Sequence, residues 1–155
     1  MAIKAQGTQL YILDDTDTGN EVTEFPCLTT IGSSSPTRAK IDTTCLTSEG
    51  KEYVLGLVDF SSFPVGFIYD PQDAAYAKVR ALEGGDPVRV VMGLSESQDP
   101  PTFAGGTFTL PTTRTWVDFN SLIESVDRGE ATVDNVFNGT ITLAPTGGET
   151  ETAAA

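Results

Sequence analysis

Carboxylates are the one reactive side-chain type this chain holds in quantity: 22 Asp and Glu stand against 9 Lys and Arg, with two cysteines and no histidine. Paired carboxylates can work as general acid and base on a glycoside, but acids this frequent single out no pair by adjacency. Without histidine there is no Ser-His-Asp or Cys-His nucleophile, and the commonest metal ligand is missing. No glycine-rich loop runs into a lysine and a hydroxyl, so a phosphate cradle is unsupported. Asp15-Thr16-Asp17-Thr18-Gly19 invites a calcium reading. An EF-hand loop needs a further Asp or Asn before its glycine and a Glu six residues after it, and neither is present. Cys27 and Cys45 are too few for a disulfide framework or a four-ligand zinc site, and both are expected as buried thiols. The expectation is a protein with no catalytic residues, no cofactor and no metal.

The formal charge is −13 over 155 residues. A surface this negative repels nucleic acid and anionic membranes, since duplex DNA is held largely through Lys and Arg contacts to phosphate. Charge of this sign serves plain solubility, or a surface that DNA must pass without sticking. The length suits one domain that buries roughly two-thirds of its unfolded surface. Abundant Val, Thr, Ile and Phe with 15 Gly and 9 Pro favour short strands joined by turns, so the expected class is mainly β, or β-rich α+β. The apolar run Leu10 to Leu13 is too short for a signal-peptide core, and no segment approaches the ~18 apolar residues of a membrane span.

Such a chain is positioned by few elements. Asp70 and Pro71 read as the cap and first residue of the only convincing helix, about Pro71 to Glu83, with Ala75, Val79 and Leu82 as its apolar stripe and Gly84-Gly85 as its stop. Strands are expected at Gln9 to Leu13, Val22 to Ile31 (with Pro26 marking an edge or bulge), Phe63 to Tyr69 and Pro87 to Leu94. Tyr53 to Asp59 is apolar on both faces and reads as a central, doubly covered strand. Thr102 to Pro111 reads as a strand with a bulge or close approach at Gly105-Gly106. Thr115 to Val126, where the apolar phase changes, reads as a bulged or strongly twisted long strand, and Ala131 to Leu143 as its hairpin partner. Gly32 to Lys51 is a long polar inter-strand loop carrying three of the nine basic residues, Arg38, Lys40 and Lys51. Length and local charge make it the candidate for contact with another acidic subunit. Pro145 to Ala155 reads as a disordered acidic tail.

The opening GTQLYIL, the loop before KEYVLGLVDF, FIYDPQDAAYAKVRAL leading into EGGDPVRVVM, and the closing WVDFNSLIESVDRGEATVDNVFNGTITLAPTG together resemble the tail tube (major tail) proteins of long-tailed, non-contractile bacteriophages. The resemblance spans about Gly7 to Gly147 and lies in the order of elements more than in any one residue. It implies a β-sandwich or barrel-like domain over residues 1–147 with one flanking helix, residues 148–155 being a tail. It also implies hexameric rings that stack into a hollow tube with an electronegative lumen for DNA ejection. Partners would then be further copies of the chain, the tail tip or baseplate, tape measure and terminator proteins, with assembly in the host cytoplasm into the virion. Under this resemblance Ser33, Ser34, Arg38, Lys40, Asp42 and Lys51 are candidates for the contact between rings, and Asp118, Glu124 and Asp134 for the lumen wall. No second immunoglobulin-like domain is expected. The alternatives are another ring component of the same fold, a tail terminator or baseplate hub piece, or an immunoglobulin-like adhesion module.

Overall fold

The computed structural model describes residues 2–14 and 21–155, so the calcium-like run Asp15 to Gly19 lies outside the described residues. The elements in chain order are β1 (Gln9–Asp14), β2 (Glu21–Glu24), β3 (Leu28–Ile31), β4 (Pro36–Asp42), β5 (Tyr53–Phe60), β6 (Phe63–Ile68), α1 (Ala74–Leu82), β7 (Val88–Gly93), β8 (Thr102–Ala104), β9 (Thr107–Thr109), β10 (Trp116–Arg128) and β11 (Asn138–Thr152). Seven of the strands form one antiparallel sheet in the order β2-β1-β7-β10-β11-β6-β3. Its two end strands are consecutive in sequence, joined only by Phe25, Pro26 and Cys27. A linker this short spans roughly 14 Å, whereas six strand spacings in a flat sheet would need about 29 Å. The sheet must therefore curl, and the protein is mostly β in the barrel-like form, with one short helix among the described residues at its side.

Inside the curl, Leu10, Ile12, Val65, Phe67, Val90, Phe119, Ile123, Ile141 and Leu143 share one apolar core, drawn from the five successive strands β1, β7, β10, β11 and β6. The helix α1 stoppers one mouth. Val79 is its buried residue, Tyr76 packs against Phe67 and Tyr69 with ring centroids 5.8 and 5.0 Å away, and the Arg80 guanidinium donates to the Val126 carbonyl at 2.8 Å. Lys78 ties the helix to the far end of β1 through Asp14 at 2.5 Å, with Glu21 at 3.2 Å, and the Asp14 hydrogen bond, more than any other contact, raises the Lys78 pKa. The cap is Asp73 rather than Asp70: its carboxylate accepts from the Ala75 amide at 2.9 Å, while Asp70 closes a preceding turn by accepting from the Gln72 amide at 2.9 Å. Two acids three residues apart can each cap, and the later one wins because the chain must first turn out of β6.

A second cluster, Tyr11, Leu13, Val91 and Trp116, sits on the outer face of the same sheet under Phe108 and Leu110. Its cover is the small hairpin β8–β9, with the Phe103 and Phe108 rings tilted against each other at a centroid distance of 4.8 Å. Gly105 and Gly106 are the turn of that hairpin and not a bulge in one strand. Their φ values of 62° and 81° are both positive, as a two-residue type I′ turn requires.

Four further expectations differ from the fold. The strand expected over Val22 to Ile31 breaks at Pro26 into β2 and β3, the two ends of the sheet. The partner of β10 begins at Asn138, not Ala131, so residues 129–137 form a loop. Its other end runs on through the supposed tail, where Thr146, Glu149, Thr150, Glu151 and Thr152 pair with Asn120, Phe119, Asp118, Val117 and Trp116. Beyond it the Ala154 and Ala155 amides donate to Thr115 Oγ1 and the Thr112 carbonyl. Both cysteines are exposed, not buried. The pairing of β10 with β11 does have register shifts: at Phe119/Asn120 the extra residues are Gly147 and Gly148 of β11, and at Ile123/Ser125 the extra residue is Glu124 of β10, which carries Val126 back to the buried side as the change of apolar phase requires.

Candidate assembly surfaces

The segment expected as a structureless loop, Gly32 to Lys51, contains β4, which pairs with β5 in a two-stranded sheet separate from the barrel. This hairpin is an arm. Its root is stitched by the Gly32 amide donating to the Pro64 carbonyl at 2.7 Å, Ser34 Oγ to the Ser61 carbonyl at 3.1 Å and the Ser35 amide to Ser61 Oγ at 3.1 Å. Beyond the root every residue of β4 is exposed. The expectation of a doubly covered strand at Tyr53 to Asp59 is overturned: Tyr53, Val54, Leu55 and Leu57 are exposed on β5, Leu57 to 94%.

The register resolves the arm into two faces. Arg38, Lys40 and Asp42 lie with Tyr53 and Leu55, the Lys40 ammonium 5.7 Å from the Tyr53 ring centre and Lys51 3.7 Å from Asp42. The opposite face is small and apolar, made by Ala39, Ile41, Val54 and Gly56. With Ile41, Leu46, Tyr53, Val54, Leu55 and Leu57 all bare, covering the arm would stabilise an assembly by on the order of 5–10 kcal/mol. Exposed apolar area concentrated in this way marks an interaction surface. Arg38, Lys40, Asp42 and Lys51 thus come together on the arm, while Ser33 and Ser34 sit at its root. The apolar residues of β5 were missed as a surface, although their two-faced pattern carried the signal.

At the arm's tip Cys45 Sγ lies 3.2 Å from Ser48 Oγ and 3.1 Å from Thr47 Oγ1. Hydrogen bonding from Ser48 first and Thr47 second lowers its pKa to about 7. A thiol with that value is half thiolate near pH 7, and the thiolate is the nucleophile. We expect iodoacetamide to alkylate Cys45 with a rate that rises through a midpoint near pH 7, and Ser48→Ala to shift that midpoint upward. An unchanged profile in the variant would mean the hydroxyls do not stabilise the thiolate.

The mouth of the barrel opposite α1 is open. It is a cavity of about 950 Å³ beside the arm's root, walled by Leu10, Phe63, Met92, Leu94, Val117 and Phe119, and among the described residues that line it the charged ones are Lys4 and Glu149. At the stoppered end the loop 129–137 presents Val133, fully exposed, and Val136 at 62%, while Phe137 packs on Tyr69 with centroids 6.0 Å apart.

The lumen candidates are not brought together. Asp118, half-buried on β10, is gripped by Arg89 through both carboxylate oxygens, the shortest contact being 2.6 Å. Glu124, exposed farther along β10, accepts from Ser62 Oγ at 2.9 Å. Asp134, expected on a strand, lies in the exposed loop before β11. Among the described residues no three His, Cys, Asp or Glu side chains are grouped to hold a metal ion, and no helix is long and apolar enough to cross a membrane.

Comparison with known proteins places this architecture. A family described as phage tail tube, TTP, lambda-like matches residues 1–155. A curated relative, structural protein 3 of Pseudomonas phage PAJU2, is 29% identical over 129 residues, covering 79% of this chain and 77% of that protein. Among solved structures, the SPP1 tail tube superposes with a TM-score of 0.70 at 16% identity, covering 98% of this chain and 80% of that one. A chain of the sixfold-symmetrised anti-feeding prophage baseplate does so with a TM-score of 0.69 at 10% identity, covering 99% and 97%.

Proposed function

The chain belongs to the lambda-like phage tail tube family, a structural component of the virion, and on that premise we propose that six copies close into a ring and that rings stack into the hollow tail tube through which genome DNA leaves. The observation that carries this reading is the arm: β4 and β5 expose apolar side chains on both faces, outside the barrel and its core. Neighbouring copies of the same chain would supply the two missing covers. The sixfold order agrees with that of the baseplate neighbour.

In this arrangement Arg38, Lys40, Asp42 and Lys51 meet the neighbouring ring, with Ser33 and Ser34 setting the angle at which the arm leaves the barrel. Outside the arm, from residue 33 to 60, the chain holds 6 basic and 18 acidic residues, so the body carries −12 of the total −13. Like charge keeps DNA mobile over distances within a Debye length, about 8 Å. Glu124 contributes to the lumen wall and Asp134 to the rim of the ring, whereas Arg89 offsets much of the Asp118 charge. Tail tip, tape measure and terminator proteins cap and measure the tube, which assembles in the host cytoplasm.

A second reading, a baseplate or terminator ring that does not polymerise, is favoured by the baseplate likeness. Negative-stain microscopy with sedimentation at rising concentration separates the two. Hollow tubes with a regular axial repeat are expected, and rings that never stack would replace the tube reading with the second.

A further inference from the structure

The two ends of the barrel are complementary. One is an open, mainly apolar mouth whose charged lining residues, among the described ones, are Lys4 and Glu149, and the other carries a loop with bare Val133 and Val136 flanked by Glu130 and Asp134. β10 and β11 run from one end to the other, so knob and socket face opposite ways on one protomer. Such a pair cannot close on itself by a twofold axis; it repeats head to tail, as an open filament does.

We propose that the loop 129–137 of one copy inserts Val133 and Val136 into the mouth beside Lys4 of a copy in the next ring, with Asp134 facing that lysine. This rests on the tube reading and adds a second ring-to-ring contact, separate from the arm. The occupant is another copy of this chain because the mouth and the loop match in apolarity and Lys4 offers the acidic loop a cation, with Asp134 placed on the Lys4 side and away from Glu149. In a chain with 22 acids and 9 bases, an acidic loop docks favourably where the partner offers a cation. The Arg128 guanidinium, 5.8 Å from the Tyr69 ring centre, and the contact of Phe137 with the same ring anchor the two ends of the loop on the body and leave Val133 exposed between them.

The test is crosslinking within assembled tubes. In a Cys27→Ser, Cys45→Ser background, Val133→Cys and Ile3→Cys are introduced into one chain, both at exposed positions, and tubes are treated with a short bismaleimide. A ladder of dimers, trimers and higher products is expected only when both cysteines are in the same chain, and dimers alone when two single-cysteine chains are mixed. Tubes that form normally yet give no product beyond the single-cysteine controls would overturn this contact and leave the tube reading standing. Failure of the parent chain to form tubes would overturn the tube reading and this contact with it. Independently, Lys4→Glu should raise the concentration needed for assembly about fivefold, and Lys4→Glu with Asp134→Lys should bring it back. No rescue in the double variant would also overturn the pairing.

Discussion

Replacing Leu55 and Leu57 together by Asp is expected to abolish tube formation while leaving the protomer folded. Both side chains are exposed on β5 and take no part in either apolar cluster, so nothing in the barrel loses a partner. In an assembly each would be buried, contributing about 2 kcal/mol, and a carboxylate in its place would be desolvated without a counter-charge. A loss of 4 kcal/mol or more at every interface weakens each contact about a thousandfold. The variant should show the parent's circular dichroism and melting temperature but sediment as a monomer where the parent polymerises. Gln98→Asp, in the exposed turn after β7, is the control for charge alone and should assemble. Normal tubes from the Leu55 and Leu57 variant would show that the arm is not an interface.

Arg114 is expected to be the most costly single residue to remove from the protomer. Its side chain is completely buried, in a chain where most charge lies outside. Its guanidinium donates to the Leu94 carbonyl at 2.8 Å, to Gln9 Oε1 at 2.9 Å and to the Gly93 carbonyl, and lies 4.9 Å from the centre of the Trp116 ring. It thereby ties the ends of β1 and β7 to the start of β10 at the rim of the open mouth. Gly93 is required beneath it, because a Cβ there would stand 2.5 Å from Arg114 Cζ. Arg114→Leu keeps apolar bulk but strips donors from buried acceptors at 1–3 kcal/mol each, a total of about 4 kcal/mol. The melting temperature should fall by about 10 °C, read by circular dichroism. Arg114→Lys should recover only part, since an ammonium cannot reach the same acceptors as a planar fork. A change within about 0.5 kcal/mol for Arg114→Leu would mean that water replaces the guanidinium without loss.

Much of the barrel was legible because its strands alternate locally. β1, β6 and β7 lie where period-two apolarity puts them, α1 falls within three residues of its expected start, and the shift of phase along residues 115–126 is the bulge at Glu124 in β10. Errors came where pairing or cover depends on distant chain. Thr146 to Thr152 reads as a tail because its residues are small and polar, yet residues 116–120 give it a ladder. Residues 36–42 read as a loop because they lack apolar alternation, yet β5 pairs with them across the hairpin. The cysteines were expected inside from residue type alone, while Cys45 occupies the arm's tip and Cys27 the short link between the sheet's end strands.

From sequence alone follow the mainly β class, the single helix, the absence of any histidine-based chemistry, the negative body, and a polar segment, Gly32 to Lys51, expected to meet another subunit, next to a strand at Tyr53 to Asp59 expected inside. The tertiary structure decided what that segment is. Periodicity at Tyr53 to Asp59 shows that both faces of a strand are to be covered, because apolar atoms on each side gain by leaving water. It does not say whose atoms cover them. Only the curling of seven strands into a barrel that fills its own core with other residues leaves this strand bare, and so turns a pattern that reads as an interior into an arm offered to a neighbour.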